Sequence, residues 1–247
     1  VHAVYAKRAL PPAMGPRHID RSLVSPLLRM GGWLSVSNVV SPLMNYVDRF
    51  LIAFAISASA VAYYATPQEL VMRVGIIPTA LGSVLFPLLA AHNTGTGVSL
   101  FSYIKRYSLV VLAVMLPFTV ILVPLAHSLL AAWISPDFAD RASLPLQIMT
   151  IAALFSGLAQ VPYTMLQGRA RADLTAKLHL VELPAYLILL YVLLINFGVV
   201  GAAVAWLIRI AIDMIGMYLL CKFAFRGDPS EKPDGLVAEA GLPPVDH

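Results

Sequence analysis

Six stretches of this 247-residue chain are long and apolar enough to cross a lipid bilayer, which takes about 20 mostly apolar residues. They lie at 29–56, within 59–91, and at 104–132, 144–167, 174–196 and 199–223. This constrains the fold more than any other feature. In lipid a backbone must satisfy its own hydrogen bonds, so the spanning choices are helices or a closed barrel. The runs are too long for barrel strands and do not alternate polar with apolar. Only 12% of residues are charged and 59% are hydrophobic, whereas a soluble domain carries roughly 25% charged residues. The expected class is an all-α membrane protein, a bundle of six transmembrane helices.

The loops set the orientation. With six spans, one side holds Lys7, Arg8, Arg17, Arg21, Arg29, Lys105, Arg106, Arg169, Arg171, Lys177, Lys222, Arg226 and Lys232. The other side holds only Arg141, and Arg49, Arg73 and Arg209 fall inside spans. The positive-inside rule then predicts that both termini are cytoplasmic. Residues 1–28, with Pro11, Pro12, Pro16 and Pro26, read as a cytoplasmic segment without a signal peptide's short apolar core and cleavage site. Residues 224–247 are rich in proline and acid and read as a disordered cytoplasmic tail. The single cysteine, Cys221, excludes an intrachain disulfide. The net charge of +4 is spread between apolar spans and is not interleaved with aromatics, which argues against a nucleic-acid partner.

Polar side chains inside the spans are the candidates for function, because intramembrane charge is costly and faces protein or water. Asn38, Ser41, Asn45 and Asp48 recur in steps of three and four and share one face of the first stretch. Arg49 is adjacent to Asp48 and points about 100° away. Ser156, Gln160, Tyr163 or Thr164, and Gln167 make a similar stripe in the fourth stretch. The third stretch has no such stripe and reads as scaffold or lipid-facing. Arg209 and Asp213 are four apart on one face of the last stretch, where they either neutralise each other or serve a ligand. His179 and Glu182 share a face of the fifth and read as a structural pair or a proton relay. Glu69 and Arg73 depend on where the second helix begins. Thr66-Pro67-Gln68-Glu69 reads as a capping box, which would put both near an interface. A start at Ser59 would put both well inside. Prolines within the stretches, among them Pro42, Pro78, Pro162 and Pro184, predict kinks.

Nothing here reads as an enzyme. There is no Asp-x-Asp pair, no His-rich metal cluster, and no outer loop large enough for a sugar-phosphate site. No cofactor is expected.

Several segments together carry a resemblance. "YVDRFLIAFAIS", "VAYYATPQELVMRVGIIPTALGSVLFPLLA", "AWISPDFADRASLPLQIM", "VPYTMLQGRARADLTAKLHLVELPAYL" and "FGVVGAAVAWLIRIAIDM" stand in this order. They resemble the second half of bacterial polysaccharide-biosynthesis flippases, the O-antigen type of oligosaccharide flippase within the multidrug/oligosaccharidyl-lipid/polysaccharide exporter superfamily. The likeness covers residues 31–220, nearly all of the membrane part. It implies two six-helix lobes around a central cavity in the bacterial inner membrane. This chain would be the C-terminal lobe, with residues 1–28 as the inter-lobe linker. An undecaprenyl-pyrophosphate-linked oligosaccharide would be turned from the cytoplasmic to the periplasmic leaflet by alternating access. The partners implied are that lipid-linked sugar, membrane lipids and the missing N-terminal lobe. On this reading Arg49, Arg73 and Arg209 are candidate pyrophosphate ligands, since the arginine fork gives bidentate, charge-assisted bonds. Asn38, Asn45 and Gln160 would meet sugar hydroxyls. Asp48, Glu69, Asp213 and Glu182 would orient the arginines or carry a coupling ion. A multidrug or cation antiporter and a lipid II flippase of the same superfamily are the alternatives.

Overall fold

A computed structural model describes residues 21–91, 100–169 and 171–224. The regular elements among them are all helical: α1 (Arg21–Ala55), α2 (Ala58–Val74), α3 (Ile76–Ala91), α4 (Leu100–Trp133), α5 (Pro136–Gly168) and α6 (Ala172–Ala224). Segments Ile104–Trp133, Pro136–Gly168 and Ala172–Ala224 are each long and apolar enough to cross a membrane. The expected tail from 225 onward and the first 20 residues of the expected linker lie outside the described residues. Helix α1 begins at Arg21, earlier than the boundary near 29 that the apolar run suggests.

Two tight turns organise the first five helices. At the end of α1 the N–H groups of Ile56 and Ser57 both reach the Ile52 carbonyl. The Ser57 hydroxyl then accepts the Ala60 N–H at 3.1 Å and caps α2. The same Ile-Ser pair recurs between α4 and α5. There the Ser135 hydroxyl accepts the Phe138 N–H at 3.2 Å, and Pro136 occupies the first helical turn. Both are antiparallel hairpins, so side chains at matching steps from the turn meet.

Helix α2 therefore starts at Ala58, with Pro67 inside it. Thr66-Pro67-Gln68-Glu69 is not a helix start, and Glu69 and Arg73 sit far along α2. The expectation of one continuous span within 59–91 is corrected as well. The run is broken at Gly75, which closes α2 with a bond from its N–H to the Met72 carbonyl at 3.1 Å. The cause is Pro78: it lacks the N–H that would reach the Val74 carbonyl, and its ring crowds that position. The helix resumes when Thr79 donates both N–H and hydroxyl to the Gly75 carbonyl.

The fifth and sixth apolar stretches form a third hairpin inside α6. Gly198 has φ 62° and ψ −143°, a region open essentially to glycine alone. The chain reverses there. Gly201 lies against the Leu193 backbone, and a Cβ at 201 would run into the Leu193 carbonyl. A straight helix would hold these residues about 12 Å apart, at 1.5 Å per residue. The arms, 172–197 and 199–224, are each about 39 Å long at that rise, enough for a hydrocarbon core of about 30 Å. Leu178 packs on Gly216, and His179 approaches Asp213.

Helix α5 is the hub, packed against α2, α3, α4 and α6. Its most apolar stretch is 56% buried against 22% for that of α4. The exposed side of α4 is a continuous apolar surface that includes Leu109, Leu116, Val120 and Ile121, as the plain hydrophobicity of that stretch leads one to expect.

Candidate functional site

A cavity of about 760 Å³ lies between α1, α2, α3, α5 and α6. Its wall takes Ser41 and Asn45 from α1, Ser156, Gln160 and Tyr163 from α5, and His179, Arg209 and Asp213 from α6. The broken segment supplies Gly75, Pro78 and Thr79. Irregular backbone at membrane depth is tolerated where it lines a cavity, so the break at Gly75 and the cavity belong together. Ser41 and Asn45 of the α1 stripe and Ser156, Gln160 and Tyr163 of the α5 stripe thus converge on one space, while Gln167 lies outside its wall. Asn38, at the end of the α1 stripe, is exposed and outside the cavity wall.

Asp48, at the other end of that stripe, is fully buried. One carboxylate oxygen accepts the Arg49 N–H at 2.8 Å. The other accepts the Tyr64 hydroxyl, the Gln68 amide at 3.2 Å and the Tyr186 hydroxyl at 3.4 Å. The Gln68 amide also donates to the Asn45 carbonyl. Asp48 thus ties α1 to α2 and α6. Tyr64, Gln68 and Tyr186 are partners that sequence reasoning missed. Only the tight turn after Ile56, which brings 64 and 68 back beside 48 and 45, could have pointed to the first two.

The arginines separate. Arg49 donates from Nε to Gln68 Oε1 at 3.0 Å and from Nη2 to Glu69 Oε1 at 2.8 Å, and lies over the Tyr46 ring at 5.0 Å. Neither Arg49 nor Glu69 lines the cavity. Arg73 is exposed on α2, also outside the cavity wall. Arg209 is buried on that wall. Its Nη1 donates to Asn45 Oδ1 at 2.9 Å, its guanidinium lies 5.6 Å from the Tyr186 ring centre, and its Nε has no acceptor.

Arg209 and Asp213 therefore do not form a closed pair. Asp213 instead approaches Nε2 of His179 at 3.4 Å, too poorly aligned for a hydrogen bond. Glu182, one turn along from His179, has neither carboxylate oxygen hydrogen-bonded. His179, Glu182 and Asp213 bring donor atoms within 4.8 Å of one another. The spacing of His179 and Glu182 was visible in sequence, but Asp213 joins them only through the hairpin at Gly198.

Residues 3–93 match the family model described as polysaccharide biosynthesis protein. Over 191 residues the chain is 34% identical to a Shigella flexneri protein named "Putative O-antigen transporter", covering 76% of this chain and 45% of that protein. It is 22% identical over 187 residues to an uncharacterized membrane protein of Methanocaldococcus jannaschii, covering 75% of this chain and 37% of the other. The chain thus spans less than half the length of either relative. No solved structure gives a significant match. Together with its long apolar helices, these matches mark a membrane protein that is similar to the polysaccharide biosynthesis family.

Proposed function

We propose that this chain is one six-helix lobe of a flippase that turns an undecaprenyl-pyrophosphate-linked oligosaccharide from the cytoplasmic to the periplasmic leaflet by alternating access. The protein would sit in the bacterial inner membrane with both ends cytoplasmic, and a second lobe would face the cavity. The observation that carries the reading is Arg209: a buried arginine on the wall of a 760 Å³ cavity, held by a neutral amide with its Nε unpaired. A guanidinium placed this way has donors to offer a diphosphate, and the planar fork suits bidentate contact. Asn45 and Gln160 stand on the same wall, positioned for sugar hydroxyls. Asn38, Arg49 and Arg73 lie outside it, so in this scheme they meet substrate only where the second lobe completes the path. Asp48 and Glu69 hold other side chains, while Glu182 and Asp213 are left for ion coupling. The chemistry is translocation, with no covalent step.

The test is complementation of a strain lacking the gene, scoring surface glycan and lipid-linked precursor. Wild type restores export. Arg209→Lys, at equal abundance in the membrane, leaves precursor accumulating, because lysine keeps the charge and loses the fork. Full export by Arg209→Lys, or by a variant in which Arg209 and Asp213 are both replaced by apolar residues, rejects the role of Arg209. A cation antiporter is favoured by one observation, the unpaired acids on α6. Extrusion of cationic dyes with unchanged glycan precursor would select it.

A further inference from the structure

We propose that His179, Glu182 and Asp213 form a binding site for one divalent first-row transition-metal ion, at the edge of the cavity and between the two arms of α6.

The cluster is rich in acceptors and poor in donors. His179 is 4% exposed and Glu182 7%. Both oxygens of Glu182, Nδ1 of His179 and Oδ1 of Asp213 are buried with no hydrogen-bond partner. Buried polar atoms in native proteins are nearly always satisfied, and an orphan calls for a cause such as an ion. An isolated buried carboxylate is especially costly. The orphan oxygens of Glu182 and Asp213, gathered beside an imidazole nitrogen, are what a cation resolves at once.

The neighbouring groups do not resolve it. From α5 the facing group is Tyr163, whose ring stacks on His179 with centroids 6.5 Å apart. From α1 it is Asn45, which accepts from Arg209. Arg209 is the one cation beside the two acids among the described residues lining the cavity, and its single hydrogen bond goes to Asn45.

The donor set selects the kind of ion. One imidazole with two carboxylates suits zinc, manganese, cobalt or iron(II), whereas magnesium and calcium prefer all-oxygen shells. A carboxylate and an imidazole three residues apart on one helix is a spacing that metal-binding helical bundles also use, though in the reverse order. The 3.4 Å from His179 Nε2 to Asp213 Oδ1 is close to the edge of a zinc tetrahedron, about 3.3 Å for bonds of 2.0–2.1 Å. Glu182 must close in from at most 4.8 Å, a shift within reach of its flexible side chain. Three protein ligands leave a position open. His179 and Asp213 both line the cavity, which gives an ion a way in from that side. The inference stands on α6 alone and does not depend on what the cavity carries.

The experiment uses the whole chain, purified in lipid nanodiscs, stripped with a chelator and titrated with Co²⁺ while visible absorption is recorded. One saturable Co²⁺ per chain is expected, displaced by Zn²⁺, with a rise in Tm on binding. Glu182→Gln keeps shape and removes the charge, and Asp213→Asn does likewise. Each is expected to weaken Co²⁺ binding by roughly tenfold or more, the loss typical of disturbing a metal shell. His127→Ala breaks the exposed His127–Asp140 pair at the other end of the bundle and is expected to change nothing. Absence of a saturable Co²⁺ spectrum in wild type overturns the proposal. So does binding that survives Glu182→Gln and Asp213→Asn. The alternative in which Arg209 swings from Asn45 to Glu182 predicts that null result.

Discussion

Asp48 and Glu182 are both acids on apolar helices, and both are more than nine-tenths buried. Their surroundings are opposite. Asp48 receives four donors from α1, α2 and α6. Glu182 receives none. A buried network that is fully satisfied rigidifies a bundle, whereas an unsatisfied one stores a cost that only a ligand, a proton or a rearrangement removes. Burial alone therefore does not separate scaffold from site in this chain; the count of donors does. By that measure the acid in the most charged-looking segment, beside Arg49, is structural. The less conspicuous one on α6 is the candidate for function.

The largest effect is expected where donors would be stranded. Asp48→Ala leaves the Tyr64 and Tyr186 hydroxyls and one Gln68 bond without their acceptor. Each stranded buried group costs about 1–3 kcal/mol, so folded protein in the membrane should fall to a small fraction of wild type. Quantitative blotting and a thermal melt in nanodiscs read this directly. Wild-type abundance and Tm for Asp48→Ala would remove the structural half of the comparison.

Gly198→Ala comes next. The backbone conformation there costs a non-glycine residue about 1–3 kcal/mol, and the turn sets the register that brings Asp213 to His179. The expected result is a lower Tm with weakened cross-linking between cysteines placed at Leu178 and Gly216. Retained cross-linking at wild-type Tm would mean that the hairpin does not depend on this glycine.

Glu182→Gln is expected to do the opposite of Asp48→Ala when no metal is added. An amide is cheaper to bury than an unpaired carboxylate, so Tm should hold or rise while, on the proposed function, glycan export falls. A loss of stability equal to that of Asp48→Ala would collapse the distinction between the two acids.

The sequence made part of this contrast legible. Periodicity placed Asn45 and Ser41 on one face, Ser156 and Gln160 on another, and His179 beside Glu182, because steps of three and four are local geometry. The apolar run of α4, with no polar stripe, marked it as scaffold or lipid-facing. What stayed hidden depends on chain reversal. Arg209 and Asp213 share a face, so sequence pairs them, yet Arg209 turns to Asn45 on α1 and Asp213 to His179 on the other arm. The break at Gly75 was foreshadowed by Pro78. Of the two starts open for α2, the one near Ser59 is the nearer: the cap is Ser57, and the proline of the Thr66 pattern is carried inside the helix.

The smallest effect concerns Arg49 and Glu69, whose side chains are 22% and 48% exposed and 2.8 Å apart. They lie on α1 and α2 outside the cavity wall, and what lies beyond them decides what their pairing is worth. Against a hydrated gap between lobes, the ion pair is screened and a half-exposed pair couples by about 0.2–1 kcal/mol. Against lipid, removing one partner would strand a charge in hydrocarbon, at about 2.5 kcal/mol or more on insertion scales. A double-mutant cycle of Arg49→Gln and Glu69→Gln, read as Tm in nanodiscs, measures the coupling. The proposed second lobe and its wet interface require the small value. A coupling of several kcal/mol would put this face against lipid and move the lobe interface elsewhere. It would also make Arg49 and Glu69 a second satisfied network beside Asp48.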